Sequence, residues 1–156
     1  MGAITNGIAL HGAFRPFCAT FLIFSDYLKP AARLAALMRV PSTFVFSHDS
    51  FRVGEDGPTH QPVEQLAMLR AIPGFTVLRP ADPVEMAGCW SMILERDRGP
   101  IAIATTRQNV PAFPRPEAVG PECVRLGGYV LRDCDGTPDV VMLASGSEVQ
   151  ICFAAI

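Results

Sequence analysis

Lysine is almost missing: Lys29 is the only one, and arginine supplies the remainder of the 13 basic residues in this 156-residue chain. Against 15 acidic residues they leave a net charge of -2. No basic excess exists to hold a phosphate backbone, which excludes nucleic acid as the main partner. Long apolar runs are also lacking. The longest, Phe17–Phe24, is broken by Thr20 and falls far short of the ~20 residues of a membrane span. No cationic stretch leads into an apolar one at the start, so no secretory signal is read. The cysteines (18, 89, 123, 134 and 152) are odd in number and widely spaced, without a CxxC pair. That excludes a disulfide framework or zinc ribbon and reads as buried free thiols in a reducing cytoplasm. No GxGxxG, GxxxxGK[ST] or GxSxG motif is present, so nothing marks a dinucleotide loop, a P-loop or a nucleophile elbow.

What is present fits a packed protein. Apolar residues make up 49% and charged residues 18%, which excludes intrinsic disorder. Short β-rich runs alternate with helical segments. Strands are predicted at Phe17–Thr20, Ser42–Ser47, Thr76–Leu78 and Ile101–Thr105. Helices are predicted at Met1–Leu10, Ser25–Met38, Val63–Ala71, Asp82–Arg96 and Ser147–Ile156. In the second of these, Tyr27, Ala31, Leu34, Ala35 and Met38 fall on one face. Pro30 argues for a start near Tyr27–Lys29, because proline is tolerated only in a first turn. Asp82 reads as an N-cap, with Pro83 in the first helical position.

Such alternation predicts an α/β fold with a mainly parallel sheet flanked by helices. Sites in these folds form outside the carboxyl ends of the strands. Thr20–Phe24, His48–His60, Arg79–Asp82 and Thr105–Asn109 then share one rim. Four prolines within Pro111–Pro121 predict a stiff linker. It separates a first domain over 1–110 from the beginning of a second α/β domain over 122–156, with strands at Gly128–Arg132 and Asp139–Ser145. Both ends read as helices without caps, so the expectation is an internal piece of a longer polypeptide.

The densest chemistry lies in Ser47–Pro62. Two of the chain's three histidines and three carboxylates share it with two glycines and two prolines. Polar, rigid loops at strand ends are where sites are commonly built. His48, Asp49, Asp56 and His60 offer a metal set, although no ligand spacing such as HExxH supports one. A solvated loop is a second reading. A substrate site binding a polyol is the third and the preferred one. Phe14, Phe17, Phe21, Phe24 and Tyr27 form an aromatic series that is either core or a stacking surface for a flat heterocycle. Arg107 follows an apolar strand and can present its fork to a phosphate or carboxylate, or close a domain-interface salt bridge.

The run Gly54-Glu55-Asp56-Gly57-Pro58-Thr59-His60-Gln61-Pro62-Val63-Glu64-Gln65 resembles the signature segment of transketolases. The likeness extends through Phe21–Tyr27, Ser47-His48-Asp49-Ser50, Arg107-Gln108-Asn109 and Ala144-Ser145-Gly146-Ser147-Glu148, and so across nearly the whole chain. It implies the later part of a thiamine-diphosphate pyrimidine-binding domain, followed by the start of a C-terminal domain. Phe24 would stack on the aminopyrimidine, with Phe21 and Tyr27 completing the pocket. His48 and Arg107 would hold a sugar phosphate. Asp56 would bind a substrate hydroxyl, and His60 would contact the donor's ketol oxygens. The implied activity moves a two-carbon ketol unit from a ketose phosphate to an aldose phosphate in a cytoplasmic homodimer. The pathway would be pentose phosphate or carbon fixation, and dihydroxyacetone synthase is a related alternative. The family's catalytic glutamate is not in the chain. Nor is the domain that holds Mg2+ or Ca2+ with the diphosphate. The 156 residues alone are therefore expected to be inactive, with a noncatalytic dimerising piece as the other reading.

Overall fold

Ile101-Ala102-Ile103-Ala104 is apolar at every position and buried throughout. A strand of this kind must be covered on both faces, as the centre of a parallel sheet is. The computed structural model, which describes residues 1–156, puts it there. Strand β1 (Phe17–Phe21), β2 (Thr43–Ser47), β3 (Thr76–Leu78) and β4 (Ile101–Ala104) pair in the order β1-β2-β4-β3, all parallel. The register aligns Phe17 with Thr43, Thr43 with Ile101, and Thr76 with Ile101. Helices α1 (Gly2–His11), α2 (Ser25–Met38), α3 (Gln65–Arg70), α4 (Pro83–Glu95) and α5 (Val149–Ala154) complete the element order.

The pleat sends alternate residues to opposite layers. Phe44, Phe46 and Ala102 join Ala9, Leu28, Ala32, Ala35 and Leu69, so α1, α2 and α3 cover one face. Ile101 and Ile103 pack with Cys89 and Ile93 of α4 on the other. The expected α/β architecture with a parallel sheet is therefore observed. Asp82 does cap α4, accepting from the Glu85 N–H at 3.0 Å, and Pro83 opens the helix.

Four expectations about the helices and strands are corrected. Helix α2 buries Leu28, Ala32, Ala35 and Ala36, while Tyr27 is 84% exposed and Leu34 and Met38 also face out. Small alanines let the helix sit close to the sheet, and larger apolar side chains elsewhere on it disguised that face. The helix also begins at Ser25 despite Pro30. A 3-10 turn over Leu22–Phe24 leads directly into it, and buried Leu28 anchors the turn preceding the proline. Helix α3 starts at Gln65 rather than Val63, because the Gln65 side chain takes the Val63 N–H at 2.9 Å. Finally, no strand forms in Gly128–Arg132 or Asp139–Ser145. Neither segment finds a ladder partner, and Val140, Val141 and Leu143 stand exposed.

The cysteines are all free, but only Cys89 is buried. Burial pushes its thiol up to about 12, which leaves it uncharged and inert. The proline-rich segment folds back against α4 and α5. Phe113 is buried, its N–H donates to Asp82 at 3.1 Å, and its ring stacks on Phe153 at 4.8 Å. Gly88 on α4 faces Pro121 so closely that a β-carbon would lie 1.9 Å from the Pro121 carbonyl oxygen.

Candidate active site

The carboxyl ends of β1, β2 and β4 bring three groups of side chains to one rim. Phe21 is the last residue of β1, and Phe24 ends the 3-10 turn after it. Their rings lie 6.3 Å apart, and Tyr27 follows 6.3 Å beyond Phe24. Phe21 and Phe24 are half-buried and Tyr27 is exposed. The series is thus split over strand, turn and helix rather than spread along one helical face. Phe14 lies before β1, away from this rim.

His48 immediately follows β2. Its backbone is left-handed, with φ 58°, and its ring stacks on Phe21 at 3.7 Å. His60 meets Phe24 edge-on at 5.4 Å and Phe21 at 6.1 Å. The two histidines and two phenylalanines therefore form one mixed apolar and hydrogen-bonding surface. Between them the loop makes 3-10 turns at Gly54–Asp56 and Pro58–His60. Gly54 and Gly57 both have φ 77°, which side-chain-bearing residues rarely adopt. These glycines let the chain present Glu55 and Asp56 outward from a tight turn. Arg107, just past β4, reaches them: its Nη2 lies 3.0 Å from Glu55 and its Nε 3.8 Å from Asp56.

Six of the seven residues singled out as site candidates (Phe21, Phe24, His48, Asp56, His60 and Arg107) thus belong to segments on the predicted rim, while Tyr27 sits on α2 beside it. Asp49 does not join them. Its side chain is buried and bound by Arg79, with Nε to Oδ2 at 2.6 Å. No three His, Cys, Asp or Glu side chains converge anywhere in the chain, so the metal set of His48, Asp49, Asp56 and His60 has no geometry behind it.

The sequence sets Arg79 on the rim but points to no partner for it. It follows β3 as Arg107 follows β4, and that shared position is the signal that could have found it. Its guanidinium bonds Asp49, Glu148 and the Ser145 carbonyl oxygen. Burial opposes its charge, but Glu148 and Asp49 outweigh burial and raise its pKa. A second unforeseen cluster ties Arg115 to Asp82 at 2.6 Å and Tyr129 to Glu85. Burial and then the Glu85 bond push the Tyr129 hydroxyl up to about 12.

Residues 1–112 match the family model of the transketolase pyrimidine-binding domain. The chain belongs to the transketolase family. It is 54% identical over 155 residues to the transketolase of Aquifex aeolicus, covering 99% of this chain and 22% of that protein. The crystal structure of transketolase from Campylobacter jejuni superposes with a TM-score of 0.91 at 48% identity, over 99% of this chain and 24% of that one. Transketolase from Pichia stipitis, solved in complex with sedoheptulose 7-phosphate, gives 0.92 at 44% identity, over 99% and 22%. The chain therefore spans about a quarter or less of its transketolase relatives, and its four-stranded parallel sheet is the one expected of their pyrimidine-binding domain.

Proposed function

We propose that the chain forms the pyrimidine wall and the sugar-phosphate end of a transketolase active site. The parent would transfer a two-carbon ketol unit from a ketose phosphate to an aldose phosphate. One observation carries the reading: stacked and edge-on rings of Phe21, Phe24, His48 and His60 share a rim with Arg107 and Asp56. Half-buried rings spaced about 6 Å apart offer a stacking face to a flat heterocycle, which is the part of thiamine diphosphate this domain would meet. When bound, that cofactor supplies the electron sink for the two-carbon unit.

The chain's own residues do the rest. Phe24 offers a ring face, flanked by Phe21 and Tyr27. His60 hydrogen-bonds the donor's ketol oxygens, and Asp56 accepts from a substrate hydroxyl. His48 and Arg107 hold the phosphate. Arg107 is free to do so, because its present partner is exposed. An exposed ion pair contributes about 0.2–1 kcal/mol, whereas a charge-assisted fork to phosphate contributes about 1.5–3 kcal/mol. The phosphate therefore displaces Glu55.

The chain's residues do not fit a divalent ion, since no ligand set converges. Mg2+ or Ca2+ would be held elsewhere in the parent, which we read as a cytoplasmic homodimer. In a transketolase containing this segment, Arg107→Ala should cost phosphorylated acceptors roughly 10- to 150-fold in kcat/KM. Glycolaldehyde should lose much less than erythrose 4-phosphate. Equal losses would remove Arg107 from the phosphate site.

A further inference from the structure

Two side-chain-bearing residues have left-handed backbones, Arg39 and His48. Arg39 closes α2, a position where that conformation is common. His48 ends no helix and needs another cause. The residue after it is fixed twice. The Asp49 N–H donates to the Thr105 carbonyl oxygen at 3.2 Å, which ties the end of β2 to the end of β4. The Asp49 carboxylate is buried, with Oδ2 2.6 Å from Arg79 Nε and Oδ1 without any partner. Arg79 is thus the only side chain bonding that carboxylate. Its remaining nitrogens reach Glu148 and the Ser145 carbonyl oxygen, and its own carbonyl oxygen accepts from the Gly146 N–H at 3.0 Å.

We infer that Arg79 is a positioning residue: through Asp49 it holds His48 in its left-handed conformation against Phe21, and it ties that geometry to the Ser145–Glu148 segment. The inference rests on His48 serving the sugar-phosphate end of the site. Thr105 secures the backbone on one side of Asp49, and Arg79 secures the side chain on the other. Without Arg79 the carboxylate would be a buried, unpaired charge, and it would turn toward water. Turning Asp49 rotates the peptide it shares with His48.

The test uses the full-length transketolase that contains this segment. KM and kcat are measured for erythrose 4-phosphate and glycolaldehyde with Arg79→Gln and Arg79→Lys, each alone and combined with His48→Ala. Misplacing a binding group by about an ångström can cost on the order of 100-fold. Arg79→Gln should therefore raise KM for the phosphorylated acceptor roughly 10- to 100-fold, with a smaller rise for glycolaldehyde. Arg79→Lys should recover part of the loss. In the His48→Ala background Arg79→Gln should add less than about 2-fold, because groups acting through one another are not additive. Full additivity there would overturn the inference, as would equal losses on both substrates where His48→Ala itself separates them. Should His48→Ala itself fail to separate the two substrates, the phosphate role of His48 falls, while the coupling between 79 and 48 still decides whether Arg79 positions it. Asp49→Asn, nearly isosteric, carries the same cycle if Arg79→Gln does not fold.

Discussion

Phe24 stands between three rings, edge-on to His60 and flanked by Phe21 and Tyr27. A ring in that setting is worth more to a stacked ligand than to the core, since the side chain is only half-buried. An aromatic pair contributes about 0.5–1.5 kcal/mol beyond its area, so Phe24→Ala should weaken thiamine diphosphate binding roughly 2- to 12-fold. Phe14→Ala is the comparison, because Phe14 precedes β1 and pairs only with His11. Cofactor titration by fluorescence giving the same constant for both variants would end the stacking reading. At this scale the sequence was a good guide wherever chemistry clustered locally. His48, Asp56 and His60 share one loop, and Arg107 follows an obvious apolar strand. Arg79 was silent because its partners, Asp49 and Glu148, are 30 and 69 residues away. Only the folded chain brings them together: the sheet sets Asp49 and Arg79 on one rim, and the Gly146 N–H bond to the Arg79 carbonyl oxygen docks Glu148.

Helix α4 shows what one cap can hold. The Asp82 carboxylate accepts from the N–H groups of Glu85 and Phe113 and lies 2.6 Å from Arg115. Burial pushes its pKa up, but Arg115 and the two N–H groups outweigh burial and hold it below the usual carboxylate range. A carboxyl depressed on folding stabilises fully above its unfolded value, about 3.9, and loses that contribution as pH falls through its folded value. Asp82→Asn should therefore melt at lower temperature than the unmodified chain at neutral pH. The two melting curves should begin to converge below about pH 4 and meet only once pH is below the depressed folded value. A gap that persists into acid would mean that the charge on Asp82 contributes nothing. The cap itself was readable, since an Asp-Pro pair ahead of an apolar helix has a local cause. The buried face of α2 was not. Apolar residues occur on several sides of that helix, and only contact with Phe44 and Phe46 selects Leu28, Ala32 and Ala35.

Taken whole, the chain leaves much apolar surface uncovered. Ile4, Leu10 and Phe14 stand exposed at one end, and Val140, Val141 and Leu143 at the other. Patches of that kind mark surfaces meant for partners. The isolated 156 residues should associate in light scattering, and with thiamine diphosphate and magnesium they should show no ketol transfer from xylulose 5-phosphate to ribose 5-phosphate. Removing cooperating groups costs far more than losing one contact, and the chain spans only 22% of its Aquifex relative. Turnover above background would require a catalytic carboxylate within the chain, with Glu55 the first to test. The strands expected in 128–145 belong to this scale as well. Their sequence has β character, but a strand exists only where a neighbour accepts its hydrogen bonds.

The strand order has a consequence for how such a protein is made. Strand β4 is the last of the four to leave the ribosome, yet it lies between β2 and β3. Until it emerges, β3 has no partner, and the inner edge of β2 stays open to any passing strand. Arg107 comes just behind it, and Glu148 later still. The nascent chain must therefore wait with most of its core translated and unsealed. Slow decoding through Arg96–Pro100, just ahead of β4, would lengthen that exposure; synthesis of β4 would join β2 to β3, and the rim would be finished only as Arg107 and then Glu148 follow.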